Sequence, residues 1–464
     1  MSTKLRTLAR AVLVTGLCAA SVVAGAPPPP VPASAATTDA RPNILIVLTD
    51  DQRFTGTMAV MPATRRWFGG GGVRFQNAFA TTPLCCPSRA SLFSGRYAHN
   101  HTVQTNQRGA ENAFAFGQTM QAYLHDAGYR TAIFGKYFNA WDLSENPPDF
   151  DRWAIESPHR ANGYRGGTWN VNGEQRTIAR YSTKYIATRG TSFVRASEAH
   201  DTQPWFLELA TFAPHQPALP ERKYADARLP RFRVERSMTE RDRSDKPRYV
   251  REREAISLDK VRRARAEELR ALMSVDDLVA RIANVVAETH ENRRTLAFFL
   301  SDNGTLWGAH GIMGKQTPYL PSIRVPMYAR WDGHLQAGST DRRLAANIDV
   351  APTVLAAAGI QPAAPMDGRS LLDRWRRNRM LLEYWRLKHP SDVPTWAATF
   401  TRGYEYVEYD AGGRIVFREY YDLRRDPWEL TNLFRDGVRS NDPDAAPLHR
   451  QLAADRGCSA STCP

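Results

Sequence analysis

Four stretches of the chain are apolar at nearly every position, and each runs into polar residues. Asn43 to Thr49 encloses Ile-Leu-Ile-Val-Leu and ends in Asp50-Asp51-Gln52. Thr295 to Leu300 ends in Ser301-Asp302-Asn303-Gly304, Trp205 to Thr211 leads to Ala213-Pro214-His215, and Thr131 to Phe134 leads to Gly135-Lys136. Runs of this length without alternation predict strands buried on both faces, as in a parallel sheet. Helical stretches, among them Gln118 to Ala127 and Arg262 to Thr289, separate the strands. That order predicts an α/β fold, a mostly parallel sheet flanked by helices, with a site at the edge carrying the polar ends. Asp349 reads as the cap of a helix from Ala351 to Ala358.

After Leu372 the pattern changes. Tyr404 to Tyr409 and Arg414 to Leu423 alternate on either side of Gly412-Gly413, which predicts an antiparallel hairpin. We expect a main domain over residues 41–375 and a smaller antiparallel C-terminal subdomain over 376–464, closing with a helix near Ala446 to Asp455. The chain opens with Lys4, Arg6 and Arg10, then an apolar run from Ala11 to Ala26 and small residues. This predicts a secretory signal over residues 1–35, cut after Ala33-Ser34-Ala35, with residues 36–40 a linker at the end of a Pro/Ala/Thr-rich stretch. The expected location is extracellular. No interior stretch reaches membrane-spanning length, and Leu17 ahead of Cys18 argues against a lipid anchor.

With 464 residues and 42% hydrophobic content, the chain can hold a large domain and a smaller one. Residues 1–35 carry three basic and no acidic residue, so the formal charge of +14 falls to +11 in the mature chain. Such a surplus fits either a polyanionic substrate or a merely arginine-rich surface, and we take the second. Residues 221–265 hold sixteen Lys/Arg against nine Asp/Glu. We read them as a solvated surface excursion rather than a lid or rim that attracts polyanions. Cys458 and Cys463 lie close together in an exported chain and predict a small disulfide, and no zinc-type cysteine and histidine spacing occurs.

The candidate chemistry sits in two places. Asp50, Asp51, Asp302 and Asn303 offer hard oxygen ligands, which suit Ca²⁺ or Mg²⁺ and not zinc. An acidic pair at one strand end is ordinarily a helix cap; two such ends on one sheet are a stronger signal. The second place is Cys85-Cys86-Pro87-Ser88-Arg89-Ala90-Ser91-Leu92-Phe93-Ser94-Gly95-Arg96. Pro87 suits a first helical turn, Ser88 to Phe93 continue it and Gly95 ends it. Cys85 then stands just before a helix N-terminus, where an anion is favoured, and Arg89 follows one turn on, able to fork onto a tetrahedral oxyanion. A pair of buried structural cysteines fits the same residues.

Cys-x-Pro-Ser-Arg with its Leu-x-x-Gly-Arg tail resembles the signature of the type I sulfatases. The resemblance implies an alkaline-phosphatase-like fold, with residues 41–375 the catalytic domain. It implies that Cys85, not Cys86, is oxidised to formylglycine, so that a maturation enzyme is a partner. One divalent cation, usually calcium, would be held by Asp50, Asp51, Asp302 and Asn303 together with the modified Cys85. Arg89 would orient the hydrated aldehyde, Lys136 and Lys315 bind sulfate oxygens, and His215 protonate the leaving alcohol. One hydroxyl of the hydrate attacks sulfur, and the other loses its proton to expel sulfate and restore the aldehyde.

One departure stands out. Many sulfatases carry Gly-Lys-Trp-His where this chain has Gly135-Lys136-Tyr137-Phe138-Asn139, so the expected histidine is replaced by Phe138. The branch of glucosamine-6-sulfatases and heparan sulfate endosulfatases also lacks it. Further likeness to that branch lies in Tyr97-Ala98-His99-Asn100-His101, Thr105-Asn106, Leu272 to Leu278, Asn347-Ile348-Asp349, Met366 to Leu371, Tyr421-Asp422-Leu423, Asp426-Pro427 and Asn432-Leu433. His101, Asn106 and His310 are candidate substrate contacts; Asp276, Asp277 and Asp349 are read as structural. The resemblance implies a sulfated amino sugar as substrate, such as N-acetylglucosamine 6-sulfate in a glycosaminoglycan, with no nucleic-acid partner. Rival expectations are a phosphonate or phosphate ester hydrolase on the same scaffold, an arylsulfatase of broad specificity, and a non-catalytic polyanion binder.

Overall fold

The structure, a computed structural model, describes residues 41–156, 163–386 and 393–464. The expected signal and linker lie outside them. Ten strands form the large sheet: β1 (Asn43–Asp50), β2 (Val73–Phe79), β3 (Arg130–Lys136), β4 (Arg152–Glu156), β5 (Gly167–Val171), β6 (Glu174–Ile178), β7 (Trp205–Pro214), β8 (Thr295–Ser301), β9 (Met327–Arg330) and β10 (Ser339–Ala346). Their order is β10-β2-β9-β8-β1-β7-β3-β4-β5-β6. The central strands β8, β1, β7, β3 and β4 are parallel, so their C-terminal ends share one edge. Strand β9 runs antiparallel between β8 and β2, and β5 and β6 close the other side as antiparallel additions.

Alternation along β1 explains why its run is continuously apolar. Ile44, Ile46 and Leu48 face one core, with the helices α1 (Cys85–Ser94), α2 (Met120–Asp126) and α5 (Val350–Ala357). Leu45 and Val47 face the other, with α3 (Ser182–Glu198) and α4 (Leu258–Glu288). All five side chains have no exposed surface, and each contributes roughly 1.5–3 kcal/mol by burial. Helix α4 starts where Ser257 accepts a hydrogen bond from the Lys260 N–H.

The second sheet is antiparallel, ordered β11 (Met380–Tyr384), β12 (Thr395–Phe400), β13 (Tyr404–Ala411) and β14 (Arg414–Asp422). Gly412 and Gly413 both have positive φ, 64° and 81°, which the two-residue hairpin turn requires. A third core joins this sheet to Phe79, Leu84, Leu306 and Tyr319, near the functional edge of the large sheet. Helix α6 (Ala445–Arg456) follows, capped by Asp444.

Two local readings need correction. Asp349 makes no side-chain cap for α5; its carboxylate accepts from the N–H groups of Ala346 and Arg369 and pairs with Arg377 at 2.7 and 2.8 Å. A buried guanidinium outcompetes the cap. Residues 221–265 are not simply solvated either: Lys246 is fully buried, donating to the Leu430 carbonyl at 2.9 Å, and Glu235 pairs with Arg53. The Cys458–Cys463 disulfide is formed.

Candidate active site

Strand register assembles the site. Asp50 at the end of β1 pairs with Pro214 of β7, and Thr49 pairs with Ser301 of β8, so Asp50, His215 and Asp302 emerge at one edge. Lys136 ends β3 beside them. Helix α1 places Cys85 over this edge, as its first residue rather than the one before it. Its closing Gly95 has φ 66°, a left-handed position that glycine takes without strain.

Ligand atoms of Asp50, Asp51, Cys85 and His215 all lie within 4.8 Å of one another. Lys136 Nζ donates to Asp50 Oδ2 at 2.5 Å, and Lys315 Nζ donates to Asp51 Oδ1 and to Cys85 Sγ, the latter at 3.0 Å. Asp51 Oδ2 lies 3.6 Å from His215 Nε2. Arg89 is wholly buried; its Nε and Nη2 donate to Asp302 Oδ2 at 3.1 and 3.0 Å, and its Nη1 to the Lys136 carbonyl at 2.9 Å. Asp302 Oδ1 accepts from the N–H groups of Asp51 and Asn303. Three carboxylates therefore face three fixed cations.

Those charges set the protonation states. Burial acts to raise the Asp50 and Asp51 pKa values, but Lys136, Lys315 and His215 outweigh it and hold both carboxyls below their ordinary range. Burial pushes the Cys85 thiol up, against the pull of Lys136 and Lys315. Burial works against the Lys136 and Lys315 ammonium groups, yet the aspartates raise both.

The residues fit a hard cation. Asn303 donates from Nδ2 to Asp51 Oδ1 at 2.6 Å, which leaves its Oδ1 buried without a partner among the described residues. Among the described residues, Asp50 Oδ1 has only the Cys85 sulfur at 3.6 Å, and Asp51 Oδ2 only the His215 ring. Free oxygen lone pairs on Asp50, Asp51 and Asn303 are the donor set that Ca²⁺ or Mg²⁺ takes. Asp302 is the most engaged of the four, each oxygen already accepting two hydrogen bonds.

Of the expected substrate contacts, His101 and His310 are engaged by buried partners, whereas Asn106 bonds the backbone beside Cys85. His101 is buried, with Nε2 on Ser91 Oγ at 3.0 Å, and burial lowers its pKa to about 3. His310 is buried too, its Nδ1 2.8 Å from Glu240 and its ring stacked on Tyr319. Asn106 accepts from the Cys86 N–H at 2.8 Å, supplying the cap that α1 lacks locally. Lone polar residues carry no sequence mark that separates support from contact.

Phe138 has no exposed surface and packs edge-on against Phe93 and Phe114 in an aromatic cluster. Two supporting residues carried no assigned role in the sequence. Asn347 donates to Ser88 Oγ at 3.0 Å, fixing α1, and the Gln52 N–H donates to Ser301 Oγ at 2.8 Å, joining the two acidic strand ends. Asn347 falls within the Asn-Ile-Asp segment noted above, the one signal available.

The fold and the acidic, thiol-bearing edge make a candidate formylglycine and metal centre of a hydrolase. A sulfatase family profile matches residues 42–360, and the chain belongs to the sulfatase family. The profile described as N-sulphoglucosamine sulphohydrolase, C-terminal, matches residues 308–456. The extracellular sulfatase SULF-1 homolog of Drosophila melanogaster is 33% identical over 75% of this chain, which spans only 32% of that relative's length. N-acetylglucosamine-6-sulfatase of Homo sapiens is 29% identical over 91% of this chain and 86% of its own. A solved structure in complex with its substrate D-glucosamine-2-N,6-O-disulfate shares the fold, with TM-score 0.75 and 22% identity over 89% of this chain and 97% of that one. Among the described residues, no helix is long and apolar enough to cross a membrane.

Proposed function

We propose that the protein is a secreted sulfuric ester hydrolase whose reactive group is a formylglycine made from Cys85. What carries this reading is the convergence of Asp50, Asp51, Cys85 and His215 on one point flanked by Lys136 and Lys315. Calcium is the expected ion, with magnesium the alternative, held by Asp50, Asp51, Asp302 and Asn303. Cation and aldehyde hydrate together supply the nucleophile for attack on sulfur. Arg89 locks Asp302 and the Lys136 carbonyl, so that the acidic edge cannot splay. The Lys136 and Lys315 ammonium groups donate to the sulfate oxygens as negative charge builds there. In this reading His215 protonates the leaving alcohol, a role its 40% exposed side chain supports.

The substrate we propose is a sulfated amino sugar, such as N-acetylglucosamine 6-sulfate within a glycosaminoglycan. The named relatives and the motifs shared with the glucosamine-6-sulfatase branch support it. Domain limits at 41–375 and 376–464 and export by residues 1–35 belong to the same proposal. An aldehyde-reactive probe on exported protein should label wild type and not Cys85→Ala. Labelled protein should then desulfate N-acetylglucosamine 6-sulfate faster than nitrophenyl sulfate or a phosphodiester. A preference for the phosphodiester would replace the reaction class, equal rates on every sulfate ester would replace the substrate, and absence of label would leave a polyanion binder.

A further inference from the structure

Far along the large sheet from the acidic edge lies a groove of 560 Å³ whose lining is dominated by arginine. Arg342 comes from β10, Arg374 and Arg376 from the connection between the two sheets, and Arg402 from the β12–β13 turn. All four are exposed. None of the four side chains has an ion-pair or hydrogen-bond partner among the described residues. The one carboxylate in the lining, Asp341, is taken by Arg343 at 2.6 Å, and Arg377 is taken by the buried Asp349.

The groove is also built rather than loose. Trp375 turns inward, its Nε1 donating to the Ser370 carbonyl at 2.5 Å, with the Arg343 and Arg377 guanidinium groups each 5.0 Å from its ring. Arg343 further ties the connection down through the carbonyls of Asp373 and Leu371. Arg374 and Arg376 therefore stand on a fixed backbone either side of an anchored residue.

A generally arginine-rich surface does not account for this. In the arginine-rich excursion and the start of α4, cations meet acids: Lys223 pairs with Asp277, Arg248 with Glu252 and Arg262 with Asp259. Here four guanidinium groups share one groove in which the lining carboxylate found among the described residues, Asp341, is already paired. Water and salt screen these exposed charges in part, an anionic ligand relieves their mutual repulsion further, and a guanidinium forks onto sulfate or carboxylate in a planar, two-bond geometry.

We propose that this groove is a second binding site, an exosite for a sulfated polysaccharide chain, separate from the hydrolytic centre. It rests on the proposed function only for the choice of ligand. Strands β2, β9 and β8 lie between β10 and β1, which sets the groove about 19 Å from the acidic edge at the usual strand spacing. A single sugar cannot touch both places; a chain can. The exosite thus favours polymer over monosaccharide without altering the chemistry.

The test is a heparin titration of the full-length protein at several salt concentrations. The variant R342S/R374S/R376S/R402S should bind heparin roughly tenfold or more weakly, with a shallower salt dependence. Its turnover of nitrophenyl sulfate should match wild type, which also shows that it is folded. A variant with the same net charge, R108S/R222S/R241S/R281S, should bind heparin as wild type does, and replacement of the four groove arginines by lysine should retain part of the affinity. Unchanged binding by the groove variant overturns the proposal, as does equal loss in the control variant or tighter binding of a DNA duplex than of heparin. Because binding is read directly, the proposal survives a protein with no sulfatase turnover, with circular dichroism then reporting folding.

Discussion

Replacing Arg89 by methionine tests the central ion pair. The guanidinium has no exposed surface and gives two hydrogen bonds to Asp302 Oδ2 and one to the Lys136 carbonyl. Methionine keeps the bulk and removes the charge. Asp302, 2% exposed, then retains backbone donors on Oδ1 and nothing on Oδ2. Breaking a buried pair from one side costs about 3–5 kcal/mol, and the stranded Lys136 carbonyl adds about 1 kcal/mol. Pairing Arg89→Met with Asp302→Asn removes both charges and keeps an acceptor for the two backbone N–H groups. Much of the loss should return, leaving the double variant within about 2 kcal/mol of wild type. Urea unfolding followed by circular dichroism, in chelator so that ion binding does not enter, gives both numbers from the midpoints at constant slope. A loss under about 1 kcal/mol in the single variant, or a double variant as unstable as the sum of the singles, would refute the reasoning.

Other expectations follow from buried groups. Burial, opposed only by Arg89, raises the Glu208 carboxyl to about 8, and neither oxygen has a partner among the described residues. The folded state then holds a proton that the unfolded chain releases near 4.5, so stability falls as pH rises from about 4.5 to about 8; Glu208→Gln should flatten that slope in unfolding measured across the range. Phe138→His would bury an imidazole among Phe93, Phe114 and Trp141, and should lower stability by about 2–4 kcal/mol in urea unfolding instead of supplying a base. Cys458 and Cys463 are five residues apart, so replacing both with serine should cost only about 2 kcal/mol and leave probe labelling at position 85 intact.

The strands that carry the site were legible because burial on both faces leaves an unbroken apolar run, as in β1, β7 and β8. Strand β6 was not: four of its five residues are exposed, so no hydrophobic period marks it. The antiparallel β9, four residues long, depends on pairing with β8 and β2, which no local pattern encodes. In the site, Asp50, Asp302 and Cys85 stood out through motif and position at strand or helix ends. The roles of Asn106 and Asn347 did not, since each acts on a backbone or side chain brought near only by folding. Asp349 was misjudged because its competitor, Arg377, lies 28 residues away in sequence.

A thiol with no exposed surface sets a deadline. Once the helix that begins with Cys85 has seated against β1, a modifying enzyme has no sulfur to grip. The proposed oxidation must then be done on the extended chain, ahead of collapse, and a molecule that folds first is locked as an inert by-product. Slowing collapse, rather than adding more modifying enzyme after folding, would raise the fraction of working protein.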